Sequence, residues 1–361
     1  MPLVPSYIKK LKSYKPGKPV SEATRETGIT DIIKLASNEN PLGPSKKAIA
    51  AIKNSLKNMH RYPDASGYEL RTKLADRFKV KINNVVLGAG SEGIMSTIMR
   101  TFLLTDDELI SAKNSFIGFR VLANASGRRI HWVPMKNYRY DLETMATRIT
   151  DYTKIIYIAN PDNPMGTYIT KKEFDEFYKY IPERVLIILD EAYFEFANEI
   201  QDYPDSMAYR YDNVITLRSF SKAYGLGGIR IGYGLAHDEL ISNLLKVKVP
   251  FEPSLPAQIA GLAALDDSEF LLETIKTNKK GMRFFKEELD ILGVEHIPSA
   301  TNFITTVWES ENQAIKLSKS LLAKGIIVRH LSSFGWPNCI RISIGIEKEN
   351  NRFINSLKKI L

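Results

Sequence analysis

The sequence predicts an α/β protein. A large domain with a mainly parallel seven-stranded sheet, sandwiched by helices, is joined by a smaller α+β domain formed from both chain ends. Three observations predict it. Short, continuously apolar runs recur from about residue 84, as buried parallel strands do. Stretches of helical periodicity alternate with them, which implies a sheet covered on both faces. At 361 residues the chain is too long for one ordinary core. The expected division is 1–44 as an N-terminal arm and part of the small domain, 45–250 as the large domain, and 251–361 as the small C-terminal domain.

The elements follow in order. Pro2, Pro5, Pro16, Gly17 and Pro19 keep the first forty residues from forming a long helix. Ile49, Ile52, Leu56 and Met59 have helical spacing behind a cap at Ser45, and Leu70, Leu74 and Phe78 mark a second helix behind Ser66. The strand runs are Val85–Leu87, Leu109–Ser111, Ile130–Val133, Ile155–Ile158, Val185–Leu189, Val214–Leu217 and Ile229–Leu235. After about residue 250 the pattern loosens. A helix with Ala314, Leu317 and Leu321 ends at Gly325, strand-like pieces follow at Ile326–Arg329 and Ile340–Ile344, and a last helix carries Phe353, Leu357 and Leu361.

Composition narrows the function. Lys and Arg number 50 against 41 Asp and Glu, a net charge of +9. No basic block or aromatic-basic repeat accompanies that excess, so it reads as a solvated surface or a site for anionic substrates rather than a nucleic-acid face. The single cysteine, Cys339, permits no intrachain disulfide and fits a reducing compartment. The five histidines are scattered, without metal-ligand spacing. Residues 1–12 lack the apolar core of a signal peptide, and no apolar run approaches the roughly 18 residues of a membrane span. A cytoplasmic protein, with neither membrane nor nucleic acid as partner, is expected.

The chemistry concentrates at strand ends. Val185–Leu189 leads into Asp190, which is where ligands bind in open α/β sheets. By itself Asp190 reads equally well as a helix N-cap. Lys222 then lies just past the strand Val214–Leu217, 32 residues after Asp190, a spacing that suits one strand-helix-strand crossover and one shared cleft. Ser219 and Ser221 flank the lysine, Gly225, Gly227 and Gly228 permit close backbone approach, and Arg230 can clamp a phosphate. One cofactor needs this set: pyridoxal 5'-phosphate (PLP), held by a lysine as a Schiff base with its pyridine nitrogen paired to a carboxylate. Asn163, after Ile155–Ile158, can supply an amide to the ring oxygen, and Tyr193 a phenol; alone, the Asn160–Gly166 segment would be a plain turn.

Gly88–Gly93 matches the dinucleotide-binding fingerprint, so an NAD-dependent oxidoreductase is the rival. That fingerprint expects an acid ending the next strand, about 20 residues on. Here Asp106, Asp107 and Glu108 precede that strand, and Ser111 and Ala112 end it. A phosphate at a helix N-terminus is common to both readings.

These segments resemble the type I fold family of PLP enzymes, and within it the histidinol-phosphate aminotransferases. The likeness runs in order along nearly the whole chain, through Tyr14–Lys18, Leu35–Gly43, Arg61–Asp64, the glycine loop, Asn163–Gly166, Asp190–Tyr193, Ser219–Arg230, Thr301–Phe303, Gly325–Arg329 and Ile340–Gly345. The resemblance implies that Lys222 carries the cofactor and moves the proton, that Asp190 pairs with the pyridine nitrogen, and that Asn163 and Tyr193 bond the ring oxygen. It implies that the Ala89 and Gly90 amides, with Ser91, Ser219, Ser221 and Arg230, hold the phosphate, and that Phe116 stacks on the ring. Tyr62 would reach the cofactor of a neighbouring subunit, which requires a homodimer. Tyr14, Asn40, Arg329 and Arg341 would line the substrate pocket. The implied reaction transfers an amino group from L-histidinol phosphate to 2-oxoglutarate, giving imidazole acetol phosphate and L-glutamate, in histidine biosynthesis.

Three positions depart from the family's commonest pattern: Phe116 stands for tyrosine, Met165 for threonine and Ser219 for threonine. Phe116 leaves room for an aromatic amino acid as substrate. An aromatic-amino-acid aminotransferase or a threonine-phosphate decarboxylase of the same fold is the alternative, and a non-catalytic binding protein is the bland one.

Overall fold

The computed structural model describes residues 3–13, 16–209 and 211–361. In chain order the strands are β1 (Ile33–Lys34), β2 (Val85–Gly88), β3 (Glu108–Ala112), β4 (Arg129–Val133), β5 (Thr153–Ala159), β6 (Leu186–Asp190), β7 (Val214–Ser219), β8 (Gly232–Leu235), β9 (His296–Ile297), β10 (Phe303–Val307), β11 (Ile326–Ile327), β12 (Arg329–His330) and β13 (Cys339–Ser343). The large sheet has the order β2-β8-β7-β6-β5-β3-β4. All its neighbours run parallel except β8, which is antiparallel to β2 and β7.

Alternation along the central strands builds two cores. Ile155 and Tyr157 of β5 face one side, packing with Ile188, Ile215 and the helix Gly90–Phe102 through Ile94, Met95 and Ile98. Ile156 and Ile158 face the other, against Ile187, Leu189 and Phe174 and Phe177 of the helix Lys171–Tyr178. Because both faces are covered, the central strands are apolar over most of their length. Beside β2 and β8, the helices Lys46–Ser55, Tyr68–Phe78 and Leu255–Leu265 share a third cluster. The C-terminal unit has its own core, in which Phe285, Ile304, Ile342 and Phe353 meet. Its antiparallel sheet runs β12-β13-β10-β9, and β1 pairs in parallel with β11, so the N-terminal segment joins this unit. Packing thus associates Leu255–Leu265 with the large unit, and the change of core falls within the helix Ser268–Ile291.

Several boundaries differ from the sequence reading. The run Ile229–Leu235 becomes a strand only at Gly232; Arg230 has φ +60°, which breaks the extended conformation. Gly232 is there because a Cβ would come within 2.7 Å of the Gly90 carbonyl carbon and the Ser91 nitrogen. Ile326–Arg329 divides into β11 and β12, in two different sheets. Ser45 caps its helix as expected, accepting from the Ala48 N–H at 3.0 Å. Near Ser66 the accepting group is the Asp64 carboxylate, which takes the N–H groups of Ser66 and Tyr68. Leu56 and Met59 extend the first helix as a 3₁₀ turn, and with Ile49 they face outward rather than into a core.

Candidate active site

The carboxyl ends of β5, β6 and β7 converge on a cleft of about 300 Å³. Each strand delivers one part of the chemistry. From β5 the chain turns through Asn160–Gly166 and presents Asn163, from β6 it ends in Asp190, and beyond β7 the glycine-containing loop presents Lys222. Gly225 lets that loop fold tightly: its φ is +68°, and a Cβ would lie 2.2 Å from the Gly43 carbonyl oxygen. Ser91, Phe116, Tyr193, Ser219, Ser221 and Arg230 line the same cleft. Ala89 and Gly90 stand at the start of the helix Gly90–Phe102, whose first N–H groups have no intrahelical acceptor.

Asp190 is buried, and burial pushes its carboxyl up to about 7 despite the opposing hydrogen bond from the Tyr157 hydroxyl. That hydroxyl donates to Oδ2 at 2.8 Å. The other oxygen, Oδ1, is buried and has no hydrogen-bond partner among the described residues. A buried acceptor left unpaired is costly unless a ligand supplies a donor. Burial, with Arg341 adding to it, also pushes the Lys222 ammonium down to about 8. Lys222 Nζ lies 5.7 Å from the centre of the Tyr193 ring.

The Tyr193 hydroxyl accepts from Asn38 Nδ2 at 2.8 Å, which leaves its own proton for a ligand oxygen. Burial raises this phenol to about 12. Arg341 donates through Nη1 to Asn163 Oδ1 and through Nη2 to the Ala36 carbonyl at 3.0 Å. With its oxygen engaged in this way, Asn163 presents its NH₂ as a donor. At the opposite end, Arg230 Nη1 donates to the Gly227 carbonyl at 3.0 Å and sits 3.5 Å from Ser221 Oγ. A Cβ on Gly90, whose φ is +75°, would lie 2.6 Å from Arg230 Nη2. The hydroxyls, the arginine and the helix N-terminus therefore surround a space closed to side chains and suited to an anion.

A family model described as aminotransferase class I and II matches residues 30–357. The chain belongs to this aminotransferase family. It is 40% identical to histidinol-phosphate aminotransferase 2 of Carboxydothermus hydrogenoformans, over 99% of each chain. It is 38% identical to the histidinol-phosphate aminotransferase of an Anaeromyxobacter species, over the whole of both chains. The solved histidinol-phosphate aminotransferase of Sinorhizobium meliloti, in complex with pyridoxal 5'-phosphate, superposes with a TM-score of 0.91 at 26% identity, covering 100% of this chain and 99% of that one. A Thermus thermophilus aspartate aminotransferase variant superposes at 0.84 with 21% identity and bears on the fold alone.

The aminotransferase site fits PLP on its own geometry. The unpaired Asp190 Oδ1 suits the pyridine N–H, the Tyr193 and Asn163 donors suit the ring oxygen, Lys222 suits the carbonyl carbon, and the Gly90 cradle suits the phosphate. Other expected residues lie elsewhere. Asn40 does not line the cleft: its Nδ2 donates to the Ala223 carbonyl and to Thr274 Oγ1, both at 3.0 Å, and its Oδ1 accepts from the Leu42 N–H. It ties the N-terminal segment to the residue after Lys222. Arg341 stands behind Asn163, and Arg329 donates to Ser333 Oγ at 3.3 Å. Tyr62 is 80% exposed and stacks on Phe251. Tyr14 lies outside the described residues.

Sequence reasoning missed Tyr157, Asn38, Glu39 and Glu92. The two glutamates line the cleft. Tyr157 sits inside an apolar strand, where only its phenol hints at a polar partner. Asn38 was legible as part of the Leu35–Gly43 segment, but its contact with Tyr193 spans 155 positions.

Proposed function

We propose that this chain is a histidinol-phosphate aminotransferase, converting L-histidinol phosphate and 2-oxoglutarate to imidazole acetol phosphate and L-glutamate with PLP as cofactor. The observation that carries it is identity near 40% over full length to enzymes of that name, on a chain whose cleft holds each group PLP requires. Pyridoxal 5'-phosphate, when bound, supplies the electron sink for a carbanion at the substrate's α-carbon. Asp190 Oδ1 would receive the pyridine N–H and hold that proton in place. Tyr193 and Asn163 would direct their donors to the ring oxygen, and Phe116 would pack on the ring face. Lys222, with its ammonium pushed down to about 8 by burial, gives up its proton more readily than an ordinary lysine and would serve as the general base at the α-carbon. Ser91, Ser219, Ser221, Arg230 and the Ala89–Gly90 amides would hold the phosphate.

The substrate's own phosphate finds a cationic face. Arg329 and Arg341 are direct cross-strand partners of β12 and β13, so their side chains leave the sheet on one side. Two guanidinium groups on one side of the sheet suit a phosphate, which accepts from arginine in a bidentate way. Arg341 also reaches Lys222 electrostatically, so its charge is felt at the reacting end of the cleft.

We read the assembly as a homodimer. Leu56, Met59, Tyr62, Tyr68 and Phe251 are large apolar side chains left exposed, which supports this reading, and Tyr62 would reach a neighbouring subunit's cofactor. Among the described residues no helix is long and apolar enough to cross a membrane, which supports a cytoplasmic reading. Steady-state rates with histidinol phosphate, phenylalanine and threonine phosphate test the substrate. Histidinol phosphate is expected to give the highest kcat/KM; if it is the poorest of the three, the assignment falls and the Phe116-based aromatic reading gains. Lys222→Ala is expected to abolish turnover while keeping the far-ultraviolet circular dichroism of the native chain.

A further inference from the structure

Asp162 precedes Asn163 but faces away from the cleft. It is 1% exposed, and burial pushes its carboxyl up to about 7. Such a group is retained only if its hydrogen bonds repay the desolvation. Its bonds are all to the frame of the cleft. Oδ2 accepts from the Met165 N–H at 3.0 Å, across the turn that carries Asn163. Oδ1 accepts from Ser115 Oγ at 2.5 Å, and Ser115 immediately precedes Phe116. Ser115 Oγ meets the Tyr140 hydroxyl at 2.7 Å, and that hydroxyl accepts from the Ala159 N–H at 2.9 Å, at the end of β5.

The directions of these bonds are set by chemistry. The Ala159 N–H can only donate, and Asp162 in its ionised form can only accept, which sets the directions for that form. Donation therefore runs from Ala159 to Tyr140, from Tyr140 to Ser115, and from Ser115 to Asp162. The chain starts and ends on segments that line the cleft, and it passes beside the ring-stacking residue. Arg341 fixes the rotation of the Asn163 amide, but nothing in that contact fixes where the turn sits relative to Phe116.

We propose that Asp162 is a positioning residue that locks the Asn163 turn to the Ser115–Phe116 loop, and so sets the ring-oxygen donor and the ring-stacking face of the PLP site at their working separation. The inference rests on the PLP reading of the cleft. It assigns Asp162 no contact with cofactor or substrate.

The test uses the full-length chain and three variants: Asp162→Ala, Asp162→Asn and Ser115→Ala. PLP dissociation constants and the visible absorption spectrum of the loaded protein are read beside the melting temperature of the cofactor-free chain. Asp162→Ala is expected to weaken PLP binding about tenfold, equivalent to ~1.4 kcal/mol, and to shift the absorption maximum. Asp162→Asn keeps an acceptor for Met165 and a polar contact with Ser115, and is expected to restore PLP affinity to within about threefold of the parent chain. Ser115→Ala, which leaves Asp162 in place, is expected to weaken binding in the same direction and covers the case in which Asp162→Ala does not fold. The proposal is overturned if Asp162→Ala or Ser115→Ala lowers the melting temperature while PLP affinity and spectrum stay those of the parent. A parent chain that binds no PLP overturns this proposal together with the cofactor reading.

Discussion

Asp190 ends a strand whose other residues are all apolar, and its buried carboxyl is pushed up to about 7 from an unfolded value near 4. Protonated Asp190 therefore favours the folded chain at low pH. That contribution is fully present below about pH 4 and is lost as pH rises through 7. Lys222 acts with the opposite sign: its contribution is present above about pH 10 and is lost as pH falls through 8. Near neutral pH the cofactor-free chain bears the cost of both groups, which is the usual relation between a reactive site and stability. Asp190→Asn is expected to raise the melting temperature of the cofactor-free chain at pH 8 by about 2 °C or more. The gain should be markedly smaller at pH 5, on its way to vanishing below about pH 4, where Asp190 is neutral in the folded and the unfolded chain alike. Scanning calorimetry at both pH values checks this; a difference independent of pH would refute the burial argument.

At the scale of elements, the strand–helix junction at Gly90 joins a backbone requirement to a ligand requirement. Gly90 has φ +75° and no room for a Cβ, because Arg230 Nη2 lies 2.6 Å from that position. Gly28 has nearly the same backbone, φ +71°, and among the described residues nothing lies within 4 Å of a Cβ there. Alanine at either position carries a left-handed backbone cost of about 1–2 kcal/mol. Only at Gly90 should it also move Arg230 out of the phosphate cradle. Gly90→Ala is thus expected to weaken PLP binding at least about tenfold, and Gly28→Ala to lower stability by a similar amount with PLP affinity unchanged. Equilibrium unfolding and PLP titration of the two variants separate the effects. The seven large-sheet strands were legible as elements because continuous apolar runs encode burial on both faces. The start of β8 was not, since Ile229 and Ile231 are apolar but lie before the ladder, which begins at Gly232 just past the left-handed Arg230.

For the whole molecule, the proposed dimer makes Tyr62 a test of symmetry. Its ring is exposed and stacked on Phe251, outside the cleft of its own chain. If it serves the neighbouring site, Lys222→Ala and Tyr62→Ala chains should complement each other. A refolded equimolar mixture forms mixed dimers in which one site has an intact lysine from one chain and an intact tyrosine from the other. Activity should return to about a quarter of the parent value, from the statistics of a two-fold dimer. No recovery in a mixture shown to exchange subunits would place Tyr62 in its own chain's chemistry or in none. The remaining pocket candidates are distributed by the fold in a way their sequence neighbourhoods do not foretell. Asn40 becomes a strut between the N-terminal segment and Ala223, while Arg329 and Arg341 meet across two strands of the C-terminal sheet.

By itself the sequence determined the α/β class, the order of the large-sheet strands along the chain and the placing of Asp190 and Lys222 at one cleft. Those features are local: apolar runs make buried strands, and one crossover brings consecutive strand ends to a common edge. Only the tertiary structure decided how those groups are held. Asn38 reaches Tyr193 across 155 positions and Arg341 reaches Asn163 across 178. Tyr157 serves Asp190 from the neighbouring strand, and Asp162 turns inward to Ser115. Such contacts depend on register and on the packing of distant segments, which the spacing of residues along one chain does not specify.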